Sequence, residues 1–229
     1  MNYQDYLNAS AKLVEKCRKE IQAGLQIAKV CNRPFVIFPE VFSPKVFEDT
    51  EIFAANLPVT KGMSLLEIGC GSGAISITAI YRGAKSAVCV DRFKAPCECC
   101  MFNIRLHKLD RQMEVRQGDV FSAIRPEEKF DCIFWNVPFG LVPKSRKLSP
   151  MEHAVFDPGY NSIRTYLEKG PRHLKTNGRL LIGYSNTLGK PNLLSKLVNS
   201  TGRNLATIFE QTGTEIYPVK FEILESRGN

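Results

Sequence analysis

The chain has 229 residues, of which 44% are hydrophobic and 24% charged. This length allows one full hydrophobic core and is too short for two ordinary large domains. The formal charge of +8 favours an acidic partner such as RNA, DNA or a ribonucleoprotein, and a generally basic surface without such a partner is the ordinary alternative. Charge bears on association and not on fold, so the fold has to be predicted from the pattern of residues.

The N-terminal residues and the cysteines indicate the compartment. No positively charged leader followed by an apolar run is visible, and no stretch is long enough to span a membrane, so we expect a cytoplasmic protein. The eight cysteines lie mostly within predicted helices and strands, which suits reduced thiols. We expect no metal: Cys97, Cys99 and Cys100 precede His107, but neighbouring thiols on one helix point in different directions and a second ligand pair is missing.

Two segments precede the central pattern. Residues 3–29 carry apolar side chains at helical spacing with basic residues between them, which predicts an amphipathic helix or a pair of helices. Residues 33–51 contain three prolines and predict an irregular or edge-strand segment, with a helix resuming at 48–56. Such a segment forms either a lid over a pocket or a cover for a sheet edge. We therefore divide the chain into an N-terminal helical and proline-rich substrate-side segment, 1–45, and a main domain, 46–229.

From residue 64 onward, short β-like runs alternate with helical stretches. Strands are predicted at 64–68, 87–90, 113–116, 130–135, 179–184, 206–210 and 216–224, and helices at 73–82, 94–106, 161–169 and 192–199. This alternation is typical of an α/β protein with an open, doubly wound Rossmann-like sheet. We predict a seven-stranded, mostly parallel sheet with an antiparallel last strand.

The first of these strands ends in a glycine-rich turn, GCGSG at residues 69–73. Glycine takes positive φ and lets a ligand lie directly on the backbone. Gly69, Gly71 and Ala74 satisfy the dinucleotide-binding pattern, and Asp91 at the end of the second strand lies at a suitable distance to bind a ribose diol. The turn and Asp91 therefore leave an NAD-dependent oxidoreductase open.

Three further features favour S-adenosylmethionine. Glu67 directly before the turn suits a cationic ligand and would lie poorly beside a pyrophosphate. Asp119 after the third strand is placed to accept a hydrogen bond from an adenine amino group, and the fourth strand ends in NVPF, residues 136–139. The ordinary alternatives are a surface carboxylate for Glu67, a helix N-cap for Asp91 and a turn residue for Asp119. Their occurrence at successive strand ends favours a cofactor site.

The NVPF segment has the residue types needed to methylate a planar nitrogen, whose delocalised lone pair makes it a poor nucleophile. The Asn136 side-chain oxygen can accept one N–H and the Val137 backbone carbonyl the other, which aims the lone pair at the methyl group. Pro138 restricts the turn, and Phe139 offers a flat face for stacking. The alternative is a tight turn in which Asn136 caps backbone groups and Phe139 belongs to the core.

These motifs resemble class I S-adenosylmethionine-dependent methyltransferases, in the subgroup with Asn-x-Pro-Tyr/Phe after the fourth strand, over residues 42–224. The resemblance implies that Asn136, Val137, Pro138 and Phe139 are catalytic. It also implies a methionine-binding turn, a ribose-binding carboxylate and an adenine-binding loop. The implied cofactor-binding residues are Glu67, Gly69, Cys70, Gly71, Gly73, Asp91, Arg92, Asp119, Val120 and Asn136.

Within this subgroup the chain is most similar to the release-factor glutamine methyltransferases (the HemK/PrmC-like group). AVFDPGYNS at 154–162 and LKTNGRLL at 174–181 resemble their downstream pattern. Three features depart from that group. Its usual Asn-Pro-Pro-Tyr is NVPF here, which is instead similar to motifs of adenine N-methyltransferases acting on RNA. Its Gly-x-Asp-Gly is GYNS at 159–162, and its larger helical N-terminal domain is replaced by about forty residues. The departures question the substrate more than the chemistry.

We therefore predict an S-adenosylmethionine-dependent N-methyltransferase acting on a planar nitrogen. The acceptor is a glutamine amide in a protein such as a translation factor, or an adenine amine in RNA or DNA, with a small molecule as the alternative. A basic loop at Lys144, Arg146 and Lys147 either attracts phosphate or is simply solvated. An NAD-dependent oxidoreductase and a non-catalytic nucleic-acid-binding protein are the competing classes.

Overall fold

A computed structural model describes residues 11–16, 18, 19, 22, 24–213 and 219–228. Residues 11–16, 18, 19 and 22 are helical as predicted, and residues 3–10, 17, 20, 21 and 23 of the predicted helix lie outside the described part. The prediction of helix as far as residue 29 was wrong: Gln26–Val30 forms strand β1, which pairs antiparallel with β2, Arg33–Ile37. Burial alternates along β1, with Ala28 and Val30 buried. Over so few residues this period of two is easily taken for helical spacing.

The main sheet has seven strands in the order β10-β11-β9-β6-β3-β4-β5. Their bounds are β3 Ser64–Ile68, β4 Ser86–Asp91, β5 Met113–Gln117, β6 Phe130–Asn136, β9 Leu174–Ser185, β10 Arg203–Gly213 and β11 Val219–Gly228. Strands β9, β6, β3, β4 and β5 are mutually parallel, and β11 is antiparallel to both of its neighbours. The predicted fold class, an α/β Rossmann-like sheet with an antiparallel last strand, is confirmed.

Helices connect the strands and cover the sheet. Their bounds are α1 Asp49–Asn56, α2 Ala74–Tyr81, α3 Lys94–Leu106, α4 Pro150–His153, α5 Asn161–Lys169 and α6 Pro191–Ser200. The sequence pattern missed α4 and the short parallel pair β7 Gly140–Val142 and β8 Phe156–Pro158, because elements of three or four residues are too short to show a period. None of the described helices is both long and apolar enough to span a membrane.

Strand β9 begins earlier than predicted. Residues 175–178, predicted as a turn, lie within it as a bulge: Phe130 pairs with Leu174, whereas Cys132 pairs with Arg179. Asn177 absorbs the extra residues at φ +63°. The turn chemistry was therefore identified correctly, and its position inside a strand is what the local sequence does not indicate.

A buried tyrosine joins β6, which ends at the NVPF segment, to its neighbour β9. The Tyr166 hydroxyl donates to the carbonyls of Ile133 in β6 and Leu181 in β9, at 3.1 and 2.7 Å. Its side chain is fully buried, and burial raises its pKa well above the usual value. The phenol therefore stays neutral and keeps the proton that it shares between the two strands.

Replacing Tyr166 with phenylalanine is expected to lower the free energy of unfolding by about 1–2 kcal/mol, because a buried hydroxyl and its carbonyl contacts are lost. Urea denaturation followed by circular dichroism measures this change. Tyr81→Phe is the matched control, since Tyr81 is 44% exposed and its hydroxyl contacts only His107 Nδ1 at 3.3 Å. Equal losses of unfolding free energy in the two variants would contradict the proposal that the Tyr166 hydroxyl holds β6 and β9 together.

Candidate active site

A cleft with about 1060 Å³ of space lies at the carboxyl ends of β3, β4, β5 and β6. Parallel strands end at one edge of the sheet, so the side chains that follow them converge. The predicted site residues that line the cleft are Glu67, Gly69, Cys70, Gly71, Asp91, Arg92, Asp119, Val120, Asn136 and Pro138. Gly73 instead packs toward α3, and Val137 and Phe139 line a second cavity.

The three glycines of the turn are each required for a different structural reason. Each has a positive φ, of +63° at Gly69, +53° at Gly71 and +77° at Gly73. A Cβ at Gly69 would lie 2.6 Å from Trp135 Nε1, and one at Gly73 would lie 2.6 Å from Cys100 Sγ. At Gly71 a Cβ would meet open space beside the cleft. Gly69 and Gly73 are therefore needed for packing, whereas Gly71 leaves the cleft wall bare.

Replacing Gly71 with alanine is expected to lower the affinity for S-adenosylhomocysteine about tenfold, because the added methyl group occupies the cleft wall, while backbone strain costs about 1–2 kcal/mol of stability. Isothermal titration calorimetry and urea denaturation measure the two effects. Gly62→Ala is the matched control: Gly62 also has a positive φ, +84°, with open space at its Cβ, but does not line the cleft. Unchanged affinity in Gly71→Ala would remove the turn from the cofactor site.

Asp91 is fixed by the backbone around it. Its Oδ2 accepts from the Gly71 N–H at 3.2 Å, and its Oδ1 accepts from the Phe93 N–H at 3.1 Å. Burial raises its pKa from 3.8 to about 6, against the opposing effect of these donors. The Arg92 N–H also acts on this carboxylate, and because a carboxylate has about four lone-pair sites, accepting capacity remains for a ligand in the cleft.

Glu67 lies deeper than the sequence suggested. Its Oε2 accepts from the Ser76 backbone N–H at 3.1 Å and from the Ser76 hydroxyl, in the first turn of α2. Only 2% of the residue is exposed, and desolvation, with the nearby Cys89 thiol, raises its pKa well above the usual value. Glu67 lines the cleft from its floor, and its charge is held back by burial.

The residues that follow β5 form the far end of the cleft. Asp119 is exposed there, and its backbone N–H donates to the Ser122 hydroxyl at 2.7 Å, while Val120 takes a φ of +51°. His153 faces this end across the cleft, with its ring 5.5 Å from that of Phe93. Burial, assisted by Arg92, lowers the pKa of His153, so a neutral imidazole is favoured.

The tip of β6 carries the acceptor motif. Asn136 lines both the cleft and a second, narrow and mostly apolar cavity. Its Nδ2 donates to Asp49 Oδ2 at 2.9 Å, and its Oδ1 is buried with no hydrogen-bond partner among the described residues. A buried polar atom in this state costs free energy, of order 1–3 kcal/mol. An amide oxygen whose accepting capacity is not used by the described residues therefore lies between the two cavities.

The residues after Asn136 are held by the backbone and by α5. The Val137 N–H donates to the Gly183 carbonyl at 3.2 Å, a bond that a proline would lack. The departure from Asn-Pro-Pro therefore adds one hydrogen bond between β6 and β9. The Tyr160 hydroxyl donates to the Phe139 carbonyl at 2.6 Å. Phe139 belongs to the wall of the second cavity, together with Phe42, Phe47, Leu188, Val219 and Phe221.

Several residues of the site were missed by sequence reasoning. Asp49 and Thr50 enter from α1, Ser76 supports Glu67, and Trp135 lines the cleft beside Gly69. Asp49 lies in the first turn of a predicted helix, where an acidic residue is ordinary and carries no signal of function. No group of three or more His, Cys, Asp or Glu side chains in the described part of the chain is arranged to hold a metal ion, and the seven cysteines there are free thiols.

An open parallel sheet with a glycine turn, an acidic residue after the second strand and an Asn-x-Pro-Phe tip defines the class of S-adenosylmethionine-dependent methyltransferases. Residues 32–217 match the methyltransferase small domain family, and the chain belongs to that family. The oxidoreductase interpretation is thereby excluded.

Individual relatives agree with this assignment. The chain is 27% identical to a release factor glutamine methyltransferase of Shewanella oneidensis, over 82% of this chain and 70% of that protein. It is 32% identical to the ribosomal RNA small subunit methyltransferase C of Aeromonas hydrophila, over 63% of this chain and 37% of that protein. The fold matches the 16S rRNA N2 G1207 methyltransferase of Thermus thermophilus, solved with AdoMet and guanosine, with a TM-score of 0.63 and 17% identity over 90% of this chain and half (50%) of that one. The predicted resemblance to glutamine methyltransferases of the class I fold is confirmed.

Proposed function

We propose that this methyltransferase transfers the methyl group to a planar nitrogen, either a glutamine amide in a protein or an adenine amine in nucleic acid. The observation that carries the proposal is the buried, unpartnered Oδ1 of Asn136 at the boundary of the two cavities. An amide or aromatic amine supplies the N–H that this oxygen lacks. Because the oxygen is closed off from water, the acceptor must part the side chains around it on entry.

The cleft fits the cofactor. Gly69, Gly71 and Cys70 would lie along the methionine portion, where the bare backbone of Gly71 leaves room for a ligand. Asp91, with Arg92, would bind the ribose, because its carboxylate keeps free lone pairs. S-adenosylmethionine, when bound, supplies an electrophilic methyl group on a cationic sulfur. Glu67 lies at the floor of the cleft, where the cation would favour its ionised form against the effect of burial, and Gly73 packs behind the turn.

The opposite end of the cleft would hold the adenine. Asp119 is exposed at the end of β5 and is able to accept from an exocyclic amine, and the Val120 side chain packs beside it. His153, favoured in its neutral form, and Phe93 add flat surface at the same end. This order along the cleft leaves the sulfur end beside Asn136, where the second cavity begins.

The acceptor would lie in the second cavity. Asn136 Oδ1 and the Val137 carbonyl would accept hydrogen bonds from its two N–H groups, so that its lone pair faces the methyl donor. The nitrogen gains the methyl group and loses one of these two protons, and alignment supplies most of the rate enhancement. Phe139 and Phe42 offer flat apolar faces, and Pro138 fixes the turn between the two cavities. Leu13 and Phe42 reach this cavity from the N-terminal segment, which supports the proposal that residues 1–45 form the substrate side.

Two acceptor classes have support. The glutamine amide is favoured by the similarity to a release factor glutamine methyltransferase along 82% of this chain. An RNA acceptor is favoured by the similarity to a ribosomal RNA methyltransferase and by the exposed basic side chains of Lys144, Arg146 and Lys147 beside the cleft-lining helix α4. Adenine as the methylated base is favoured by the NVPF motif alone. Both acceptors are components of translation, so we also propose a cytoplasmic location, which suits the free thiols.

The test is to incubate the purified chain with methyl-labelled S-adenosylmethionine and, separately, the protein, RNA, DNA and small-molecule fractions of a cell lysate. Label retained in the protein fraction and recovered after digestion as N5-methylglutamine supports the first class, and label in N6-methyladenosine supports the second. Label only in small molecules would support the alternative acceptor. Tight S-adenosylhomocysteine binding with no label in any fraction would contradict the proposal.

A further inference from the structure

Asp49 contacts the acceptor motif from a different part of the chain. It is the first residue of α1 and is 3% exposed. Its Oδ2 accepts from Asn136 Nδ2 at 2.9 Å, and its Oδ1 accepts from the Thr50 N–H at 2.8 Å. Thr50 itself lines the cofactor cleft. The carboxylate is therefore fixed by the start of the helix and presents one oxygen to the amide.

A side-chain amide has two orientations that differ by a half-turn and fill nearly the same volume. With the observed orientation, the NH2 group of Asn136 faces Asp49 and the oxygen faces away. With the other, the amide oxygen would lie against the carboxylate, and two acceptors without a proton between them repel. A carboxylate, which only accepts, therefore selects a single orientation of Asn136.

The selected orientation is the one that leaves Oδ1 unpartnered and buried. If the amide could turn freely, its NH2 group would meet an incoming N–H, and no hydrogen bond would form. We infer that Asp49 is a positioning residue: it locks the Asn136 amide so that the oxygen meets the acceptor nitrogen. The inference rests on the proposed role of Asn136 and goes beyond it, because it assigns a function to a residue outside the NVPF motif.

The charge of Asp49 adds to this orienting effect. A carboxylate that accepts from an amide NH2 polarises the amide and increases the negative charge on its oxygen. The acceptor nitrogen becomes more positive as it takes the methyl group, so a more negative Oδ1 stabilises that change more than it stabilises the bound acceptor. Asp49 thus acts on the rate through Asn136, without touching the reacting atoms.

The first test compares Asp49→Asn and Asp49→Ala with the wild type, using the lysate fraction that the wild type labels. We expect S-adenosylhomocysteine affinity to change less than about twofold, and kcat to fall about thirtyfold in Asp49→Ala, as for other groups that orient a catalytic ligand. Asp49→Asn is expected to lie between them, since its amide still accepts from Asn136 but also stabilises the turned orientation.

Glu222→Gln is the matched control. Glu222 is also 3% exposed and accepts from the amide of an asparagine, Asn186, but it lines neither cavity. It is expected to keep the wild-type kcat. Equal kcat in wild type and Asp49→Ala would overturn the inference, as would an equal loss in Glu222→Gln.

The second test does not depend on activity. In protein labelled with 15N-asparagine, the Asn136 side-chain signals are assigned by their disappearance in Asn136→Ala. We expect them to shift strongly in Asp49→Ala and to stay in place in Glu222→Gln. Unchanged Asn136 signals in Asp49→Ala would overturn the inference even if no acceptor is labelled. Absence of label in the wild type with the expected signal shift would contradict the proposed function alone.

Discussion

Asn136→Ala is expected to abolish methyl transfer, with a loss in kcat of at least about 1000-fold, while S-adenosylhomocysteine affinity changes by less than about threefold. The substitution removes the only side-chain acceptor that the β6 tip presents at the boundary of the two cavities, among the described residues. Most of the cleft wall comes from other strands, so the cofactor keeps its contacts. Transfer of the labelled methyl group to the lysate fraction that the wild type methylates, measured under single-turnover conditions, gives the loss in rate. Calorimetric titration gives the S-adenosylhomocysteine affinity.

Loss of the amide also removes the donor to Asp49, so the variant has to be separated from a general defect. Asn186→Ala is the matched control, because Asn186 also donates to a buried carboxylate, that of Glu222, and lines neither cavity. Both variants remove an amide that donates to a buried carboxylate, and only Asn136→Ala is expected to lose transfer. An active Asn136→Ala variant would show that the oxygen is a structural atom.

The strand tips were predictable from sequence, and the contacts between them were not. Asp91 and Asp119 each follow an apolar run, and a parallel sheet brings such positions to one edge whatever the side-chain detail. The partner of Asn136 lies 87 residues earlier in the chain, and no local spacing connects the two. The direction in which Glu67 turns is likewise set by Ser76 on the following helix.

The same distinction explains the error in the N-terminal region. Strand β1 alternates buried and exposed residues over only five positions. The apolar residues of 3–29 follow helical spacing over a much longer stretch, so the helical pattern was the stronger signal in the sequence. What makes it a strand is its pairing with β2 across the turn at Cys31 and Asn32, both at positive φ. The hairpin is then held against α3 by Asn103, whose Oδ1 accepts from the Val36 N–H at 2.9 Å. Tertiary pairing therefore overrode the local helical spacing.

Asp91→Ala is expected to weaken S-adenosylhomocysteine binding about 100-fold, because two hydrogen bonds from ribose hydroxyls to a buried carboxylate are lost. Asp91→Asn is expected to lose about tenfold, since one acceptor oxygen remains. Titration calorimetry measures both. Asp110→Asn is the control, because Asp110 is an exposed aspartate paired with Arg105 at 3.9 Å, outside the cleft. Wild-type affinity in Asp91→Ala would remove the ribose assignment.

The raised pKa of Asp91 predicts a second and opposite effect, on stability. Its pKa of about 6 in the folded protein exceeds the ordinary 3.8, so the folded state holds a proton that the unfolded state releases between these values. Stability from this group therefore falls as pH rises from about 4 to 6, and above pH 6 the buried charge costs about 3 kcal/mol. Asp91→Asn removes that cost, so we expect a higher melting temperature for the unliganded variant at pH 7 than for the wild type, and no gain at pH 4.

In the proposed binding mode, ribose hydroxyls donate to the ionised Asp91 carboxylate, so cofactor binding is expected to reverse this preference. Wild-type affinity is expected to fall by up to about tenfold per pH unit as pH drops below 6, whereas Asp91→Asn should show a much flatter profile between pH 5 and 7. Thermal shift with and without S-adenosylhomocysteine across this range measures both effects in one experiment. A variant that is less stable than the wild type at pH 7, or that keeps the wild-type pH profile, would show that Asp91 is built into the turn for structure and not kept charged for a ligand.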